Sequence, residues 1–207
     1  RRLEHAFSLL FSLPGTPMMQ YGDEIGMGDN LRLPERECAR TPMQWTAEAH
    51  GGFSRARRIV RPVIDDPVYG YERVNLAAQR ADPDSLVNWT GRMLRMRKEC
   101  PEISWGDYTV LRTSPADVLA LRYDWRGSSL VTLHNFADRA RRVVFKVGCP
   151  NDDTLVSLVD GTVSRATNDS THHMTLKPYG WRWLRVGAVD NTLTRSTLTI
   201  VDDTVTS

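Results

Sequence analysis

Seven short runs between Tyr108 and Val186 most constrain what this chain can fold into: Tyr108 to Leu111, Val118 to Trp125, Ser129 to Asn135, Arg142 to Val147, Leu155 to Leu158, His172 to Leu176 and Trp181 to Val186. They are rich in β-branched and aromatic residues, and turn signals such as Arg126-Gly127, Asp160-Gly161 and Pro178-Tyr179-Gly180 separate them. Runs at this spacing predict an antiparallel β-sandwich over residues 105–187. The threonine-rich tail, residues 188–207, carries little large apolar surface from Asn191 onward and reads as a frayed strand or a mobile terminus.

The first half has a different grammar. Leu3, Ala6, Phe7, Leu10 and Phe11 form the apolar stripe of an amphipathic helix, which Pro14-Gly15 stops. Thr16 to Tyr21 is too short for a helix and apolar on both faces apart from Gln20, as in a strand buried inside a parallel sheet. From Gly22 to Asp82 periodicity fades into glycine, proline and charge. A loop this long in a compact domain is functional or has short elements of its own, and its apolar residues from Trp45 to Tyr71 predict an ordered excursion. A second helix is predicted from Asp82-Pro83, with Leu86, Trp89, Thr90, Met93 and Leu94 on its buried face and Pro101 just past its end. Helix, strand, long loop, helix suits the last part of a (β/α)8 TIM barrel, so residues 1–104 are predicted to be α/β and to precede the all-β module.

Composition narrows the function classes. The 207 residues are 41% hydrophobic and 25% charged, which is ordinary globular usage. Net charge is only +2, so charge alone makes no case for nucleic acid or a membrane surface, and the cluster Arg55-Ala56-Arg57-Arg58 reads as a solvated loop. Three widely spaced cysteines, Cys38, Cys100 and Cys149, fit a reducing compartment, with cytoplasm as the expectation. No apolar run reaches the roughly 18 residues a bilayer span needs. The sequence opens inside a helical pattern with no initiator methionine and no charged-then-apolar leader, which predicts a piece of a longer polypeptide.

Few residues point to chemistry by type and spacing. Asp23 and Glu24 leave the predicted strand together, but neighbours on an extended backbone diverge, so a structural or site-rim role is favoured over catalysis. Arg40, before Thr41-Pro42, has a planar fork suited to a hydroxyl and a carboxylate at once, although spacing by itself favours a surface arginine. His172 and His173 diverge, and His50 and His134 lack partners at metal-ligand spacing, so neither a metal nor another cofactor is predicted. Trp181 and Trp183 share a strand face, where packing is the commoner role than sugar stacking.

Several longer stretches carry a resemblance. Leu9-Leu10-Phe11-Ser12-Leu13-Pro14-Gly15-Thr16-Pro17, Tyr21-Gly22-Asp23-Glu24-Ile25-Gly26-Met27-Gly28-Asp29, Leu33-Pro34-Glu35-Arg36 and Arg40-Thr41-Pro42-Met43-Gln44-Trp45 resemble the end of the catalytic barrel of the α-amylase superfamily, and within it the trehalose synthases. Asn75-Leu76-Ala77-Ala78-Gln79, Leu133-His134-Asn135-Phe136 and Tyr179-Gly180-Trp181-Arg182-Trp183 extend the likeness to about Gly187. The resemblance implies a retaining double displacement on maltose: an aspartate attacks, a glutamic acid protonates the departing glucose, and that glucose turns in a closed pocket before re-attack gives trehalose. It places both acids and a third aspartate upstream, so no catalytic residue is expected here and the chain alone is expected to be inactive. It makes Arg40 the substrate-binding residue of the innermost subsite, with Glu35 and Arg36 helping to close the pocket and Asp23 and Glu24 on its rim. The implied partners are maltose, trehalose or a related α-glucoside and the upstream part of the same polypeptide. A hydrolytic α-glucosidase of the same superfamily and a non-catalytic carbohydrate-binding module are the alternatives.

Overall fold

A computed structural model describes residues 1–187, and the tail expected from Asn191 lies outside the described residues. The chain divides into two compact units, one over Arg2–Glu99 and the other beginning at Cys100.

In the first unit, α1 (Arg2–Ser12) packs on α3 (Leu86–Lys98), and α2 (Leu76–Ala81) also packs on α3. The Asn75 side chain caps α2 by accepting from the Ala78 amide at 2.9 Å, and Ser85 caps α3. Asp82, the predicted cap, instead shapes the turn between the two helices, accepting from the Asp84 amide at 2.9 Å. The buried residues of α3 are Thr90, Met93 and Arg97, whereas Leu94 is exposed. Arg97 reaches the C-terminal end of α1, where its guanidinium donates to the Phe11 carbonyl and, at 2.8 Å, to that of Gly15. A cation there satisfies carbonyls that have no helical partner and complements the helix dipole.

Two expectations for this half are corrected. The face that α1 buries carries His5, Ser8, Phe11 and Ser12, while Leu3 is half exposed, Ala6 exposed and Phe7 and Leu10 only partly covered, so of the apolar stripe Phe11 alone is fully buried within this unit. Thr16 to Gln20 has no regular secondary structure and Tyr21 already belongs to a turn, so no strand forms: the unit contains no second strand with which the segment could exchange ladder hydrogen bonds. In the 207-residue chain its amides are expected to exchange with solvent far sooner than those of the central strand of the sandwich described below. Equal protection, measured by amide hydrogen exchange, would contradict this description.

The long stretch is an ordered excursion with three short 3-10 turns, Asp23–Ile25, Glu35–Glu37 and Ala49–Gly52. Ile25, Met43 and Leu76 form its small core, and Val63 and Ile64 are buried. Trp45, Phe53, Val68 and Tyr69, predicted to supply packing surface, stay substantially exposed. Buried Gln44 does the joining: its side-chain nitrogen donates to the carbonyls of Tyr69 (2.9 Å) and Val74, and its backbone carbonyl accepts from the Leu76 amide at 3.0 Å. Gly28 lies so close to Tyr69 that a Cβ there would sit 2.5 Å from the ring, which only glycine avoids.

The second unit is an antiparallel sandwich. Its strands are β1 (Asp107–Val110), β2 (Thr113–Ser114), β3 (Val118–Trp125), β4 (Ser128–Asn135), β5 (Arg141–Phe145), β6 (Thr154–Ser157), β7 (Val163–Arg165), β8 (His172–Leu176) and β9 (Trp181–Val186). One sheet has the order β1-β3-β4-β9-β6-β7, the other β2-β5-β8. Val118, Ala120, Val131, Leu133, Val143, Phe145, Leu155, Leu176 and Leu184 fill the core between them. Strand β4 lies between β3 and β9 and is buried on both faces from Leu130 to Asn135, because α4 (Pro101–Trp105) also packs against β3 and β4. Trp183 is fully buried in this framework. Adjacent His172 and His173 diverge as expected of a strand: His172 is buried between Ser164 Oγ (3.1 Å) and the Asp152 carbonyl (2.6 Å), and His173 is exposed.

Two turn carboxylates make this unit acid-sensitive. Burial pushes Asp160 upward, but the Ser157 and Thr162 hydroxyls, the Thr162 amide and the Arg182 guanidinium outweigh it and hold the group at about 2. The hydroxyls of Thr167 and Thr171 bring Asp169 to about 2 as well, with help from Lys146. Both values are depressed from 3.8, so the stability these groups add is present above that pH and is lost as pH falls through 3.8 towards about 2. Asp160→Asn is expected to flatten this acid loss, read as the urea midpoint at each pH; an unchanged profile would contradict the assignment.

Candidate functional site

The segment ending at Gln20 leads into the Asp23–Ile25 turn through Gly22, whose φ of 93° belongs to the left-handed region that glycine tolerates. Each acid of the pair then serves the loop. Asp23 accepts from the Gln20 amide at 2.9 Å, and Glu24 accepts from the Gly22 amide at 2.7 Å. Carboxylates spent on neighbouring amides in this way are loop fasteners.

Beyond this turn the chain makes the Glu35–Glu37 3-10 turn and returns through Arg40 to the buried run Thr41 to Gln44. Glu35, at φ 45°, and Arg36 are exposed on the turn. Arg40 is exposed too, and its guanidinium has no partner among the described residues. It opens onto a groove of about 690 Å³, inside the size range of small-molecule sites. Pro42, Met43, Phe53 and Ile59 supply apolar wall, and Tyr21 and Arg61 supply polar groups. Arg61 also lies 3.4 Å from Glu37, which ties the groove's far wall to the 3-10 turn. An apolar wall with a few forked cations suits a ligand that presents hydroxyls on one side and a carbon face on the other.

Of the five residues singled out from sequence, Arg40 alone lines this groove; Asp23, Glu24, Glu35 and Arg36 sit on the two turns that flank its segment. Tyr21, Phe53 and Arg61 carry no sequence signal for this groove: Tyr21 closes the predicted strand, and Phe53 and Arg61 lie in the stretch without periodicity. Among the described residues no cluster of His, Cys, Asp and Glu is arranged to hold a metal ion, and no helix is long and apolar enough to cross a membrane.

Residues 1–106 match the α-amylase catalytic-domain family model. The chain belongs to the α-amylase family. Residues 127–185 match the C-terminal domain of sucrose hydrolase-like proteins, so the fold is the end of an α-amylase catalytic barrel followed by an antiparallel sandwich. This α-amylase family chain is 35% identical to the trehalose synthase of Pimelobacter sp. (strain R48) over 197 residues, 92% of its length and 34% of that protein. It is 46% identical to the trehalose synthase/amylase TreS of Mycobacterium tuberculosis (strain ATCC 25618 / H37Rv) over 121 residues, 58% of its length and 20% of that protein. It therefore spans about a third or less of these relatives. A trehalulose synthase MutB structure superposes with a TM-score of 0.69 at 22% identity, covering 89% of this chain and 38% of that one, and shares the fold.

Proposed function

We propose that this chain is the C-terminal part of a trehalose synthase, which interconverts maltose and trehalose by intramolecular glucosyl transfer. The observation that carries the proposal is the similarity to trehalose synthases across nearly the whole chain. The geometry supports it at one point: an unpartnered guanidinium, Arg40, stands at the mouth of a groove large enough for a sugar.

In this proposal residues 1–104 complete the catalytic barrel and residues 105–187 form the C-terminal β-domain. The upstream part of the polypeptide supplies the aspartate nucleophile, the glutamic acid and a third aspartate, so the chain alone is inactive. Arg40 holds the glucose at the non-reducing end, its fork binding sugar oxygens while an upstream carboxylate balances its charge. Glu35 and Arg36 help to close the pocket over the turning glucose. Asp23 and Glu24 form its rim by fixing the turn, since their carboxylates are engaged with Gln20 and Gly22. The enzyme is assigned to the cytoplasm, in keeping with three cysteines that form no disulfide among the described residues.

A second proposal, hydrolysis of the same bond, is favoured by one observation: the mycobacterial relatives carry the name trehalose synthase/amylase. Incubating the full-length protein with maltose separates the two. Trehalose as the main product is expected; glucose with little trehalose would replace the isomerase with an α-glucosidase.

A further inference from the structure

We infer that Gln20 and Tyr21 are positioning residues that hold Arg40 in its binding geometry, an inference that rests on the substrate role proposed for Arg40. The carbonyls on either side of Arg40 are both engaged. The Gln20 side-chain amide donates to the Ala39 carbonyl at 2.9 Å, and the Tyr21 hydroxyl donates to the Thr41 carbonyl at 2.9 Å. The Arg40 amide itself donates to the Glu37 carbonyl at 3.1 Å. The Ala39 carbonyl and the Arg40 amide belong to one peptide plane, which is thus held at both ends, and the Thr41 carbonyl pins the Thr41–Pro42 plane, so the chain is anchored on both sides of Arg40 and the range open to its backbone dihedrals and to the direction of its Cα–Cβ bond is narrowed.

Adjacent residues of a strand point to opposite faces and could not grip one segment together. Gln20 and Tyr21 escape this limit because they lie in no strand and Tyr21 already belongs to the turn before Asp23. The grip is itself anchored. The Gln20 amide donates to the Asp23 carboxylate at 2.9 Å, and the Asp23 amide returns a bond to the Gln20 carbonyl at 3.2 Å. Beyond Arg40 the run from Thr41 to Gln44 is buried, so the clamp holds an exposed residue at the edge of a buried segment.

Such pre-organisation matters for arginine in particular. A long side chain on a loose backbone loses more freedom when it binds a ligand, and that loss subtracts from affinity. Tyr21 also lines the groove, so direct contact with the sugar is the competing role.

A mutant cycle in the full-length protein tests the inference. Tyr21→Phe and Gln20→Ala are each expected to lower kcat/KM for maltose about three- to tenfold, the size of one lost hydrogen bond, chiefly through KM. In an Arg40→Ala background neither is expected to cost anything further. An equal penalty in that background would overturn the inference, because the residue would then act on the sugar without Arg40. Amide hydrogen exchange gives a readout independent of activity: the Arg40 and Thr41 amides are expected to exchange faster in both single variants, and unchanged exchange would overturn the clamp. If Arg40→Ala alone leaves kinetics intact, the substrate role of Arg40 fails, while the exchange result still decides the clamp.

Discussion

Arg40→Ala in the full-length protein is expected to lower kcat/KM for maltose by about 100- to 1,000-fold. A hydrogen bond from a charged donor contributes about 1.5–3 kcal/mol, and the guanidinium fork makes two; because two bonds from one group do not add in full, about 3–4 kcal/mol is the expected loss. The effect is this large because the cation stands against an apolar wall formed by Pro42, Met43, Phe53 and Ile59, where water is a poor substitute for it. Arg40→Lys is expected to recover only part of the loss, since a point charge cannot reproduce a planar two-donor fork. The stability of the 207-residue chain is expected to be unaffected, because the guanidinium has no partner among the described residues. Steady-state kinetics of the three proteins, with thermal unfolding as control, check this. Unchanged kinetics in Arg40→Ala would remove the assignment.

The second large effect is one of stability. Glu102 on α4 is fully buried, and its Oε1 accepts from Arg185 Nη1 of β9 at 2.6 Å and from Ser128 Oγ of β4 at 2.6 Å. Arg185 Nη1 also donates to Ser128 Oγ at 3.1 Å, and its Nη2 approaches Cys100 Sγ at 3.5 Å. One carboxylate thus fastens α4 to two neighbouring strands of the larger sheet. Glu102→Ala removes the carboxylate to which a buried guanidinium donates and is expected to destabilise the second unit by about 3–5 kcal/mol. The double variant Glu102→Leu with Arg185→Met is expected to be less destabilised than Glu102→Ala, because it leaves no buried charge uncompensated. Urea unfolding of the 207-residue chain, followed by tryptophan fluorescence of the second unit, measures both. A loss below about 1 kcal/mol in Glu102→Ala would contradict a structural role for the pair.

This buried network was not legible in the sequence. Pro101 reads as the residue that stops a helix, yet it starts α4, as proline at a first helical position does. Glu102 and Arg185 are charged residues with no pattern to mark them as buried, since their burial depends on each other across 83 positions of chain. By contrast, the long strands of the sandwich were readable because each has at least one buried face and so an alternation or apolar run fixed by packing. The two strands that escaped, β2 and β7, are Thr-Ser and Val-Ser-Arg, too short and polar to show a period. The α1 stripe is apolar in the sequence, yet only Phe11 of it is fully buried within this unit, because periodicity identifies a face and not what covers it. At the candidate site Arg40 was found through resemblance, and its flanking hydrogen bonds were not foreseen. Contacts to backbone carbonyls are made by geometry, and residue type hardly constrains which carbonyl a glutamine or tyrosine will reach.

The central claim is that glucosyl transfer occurs within one closed pocket of a longer protein to which this chain contributes the Arg40 wall. The most direct test supplies the full-length protein with unlabelled maltose in the presence of excess ¹³C-labelled glucose and follows the products by NMR. Trehalose that forms without label is the predicted result, since the glucose released in the first step turns and re-attacks before it can exchange with solution. Trehalose carrying label in one ring, or glucose as the only product, would contradict the claim.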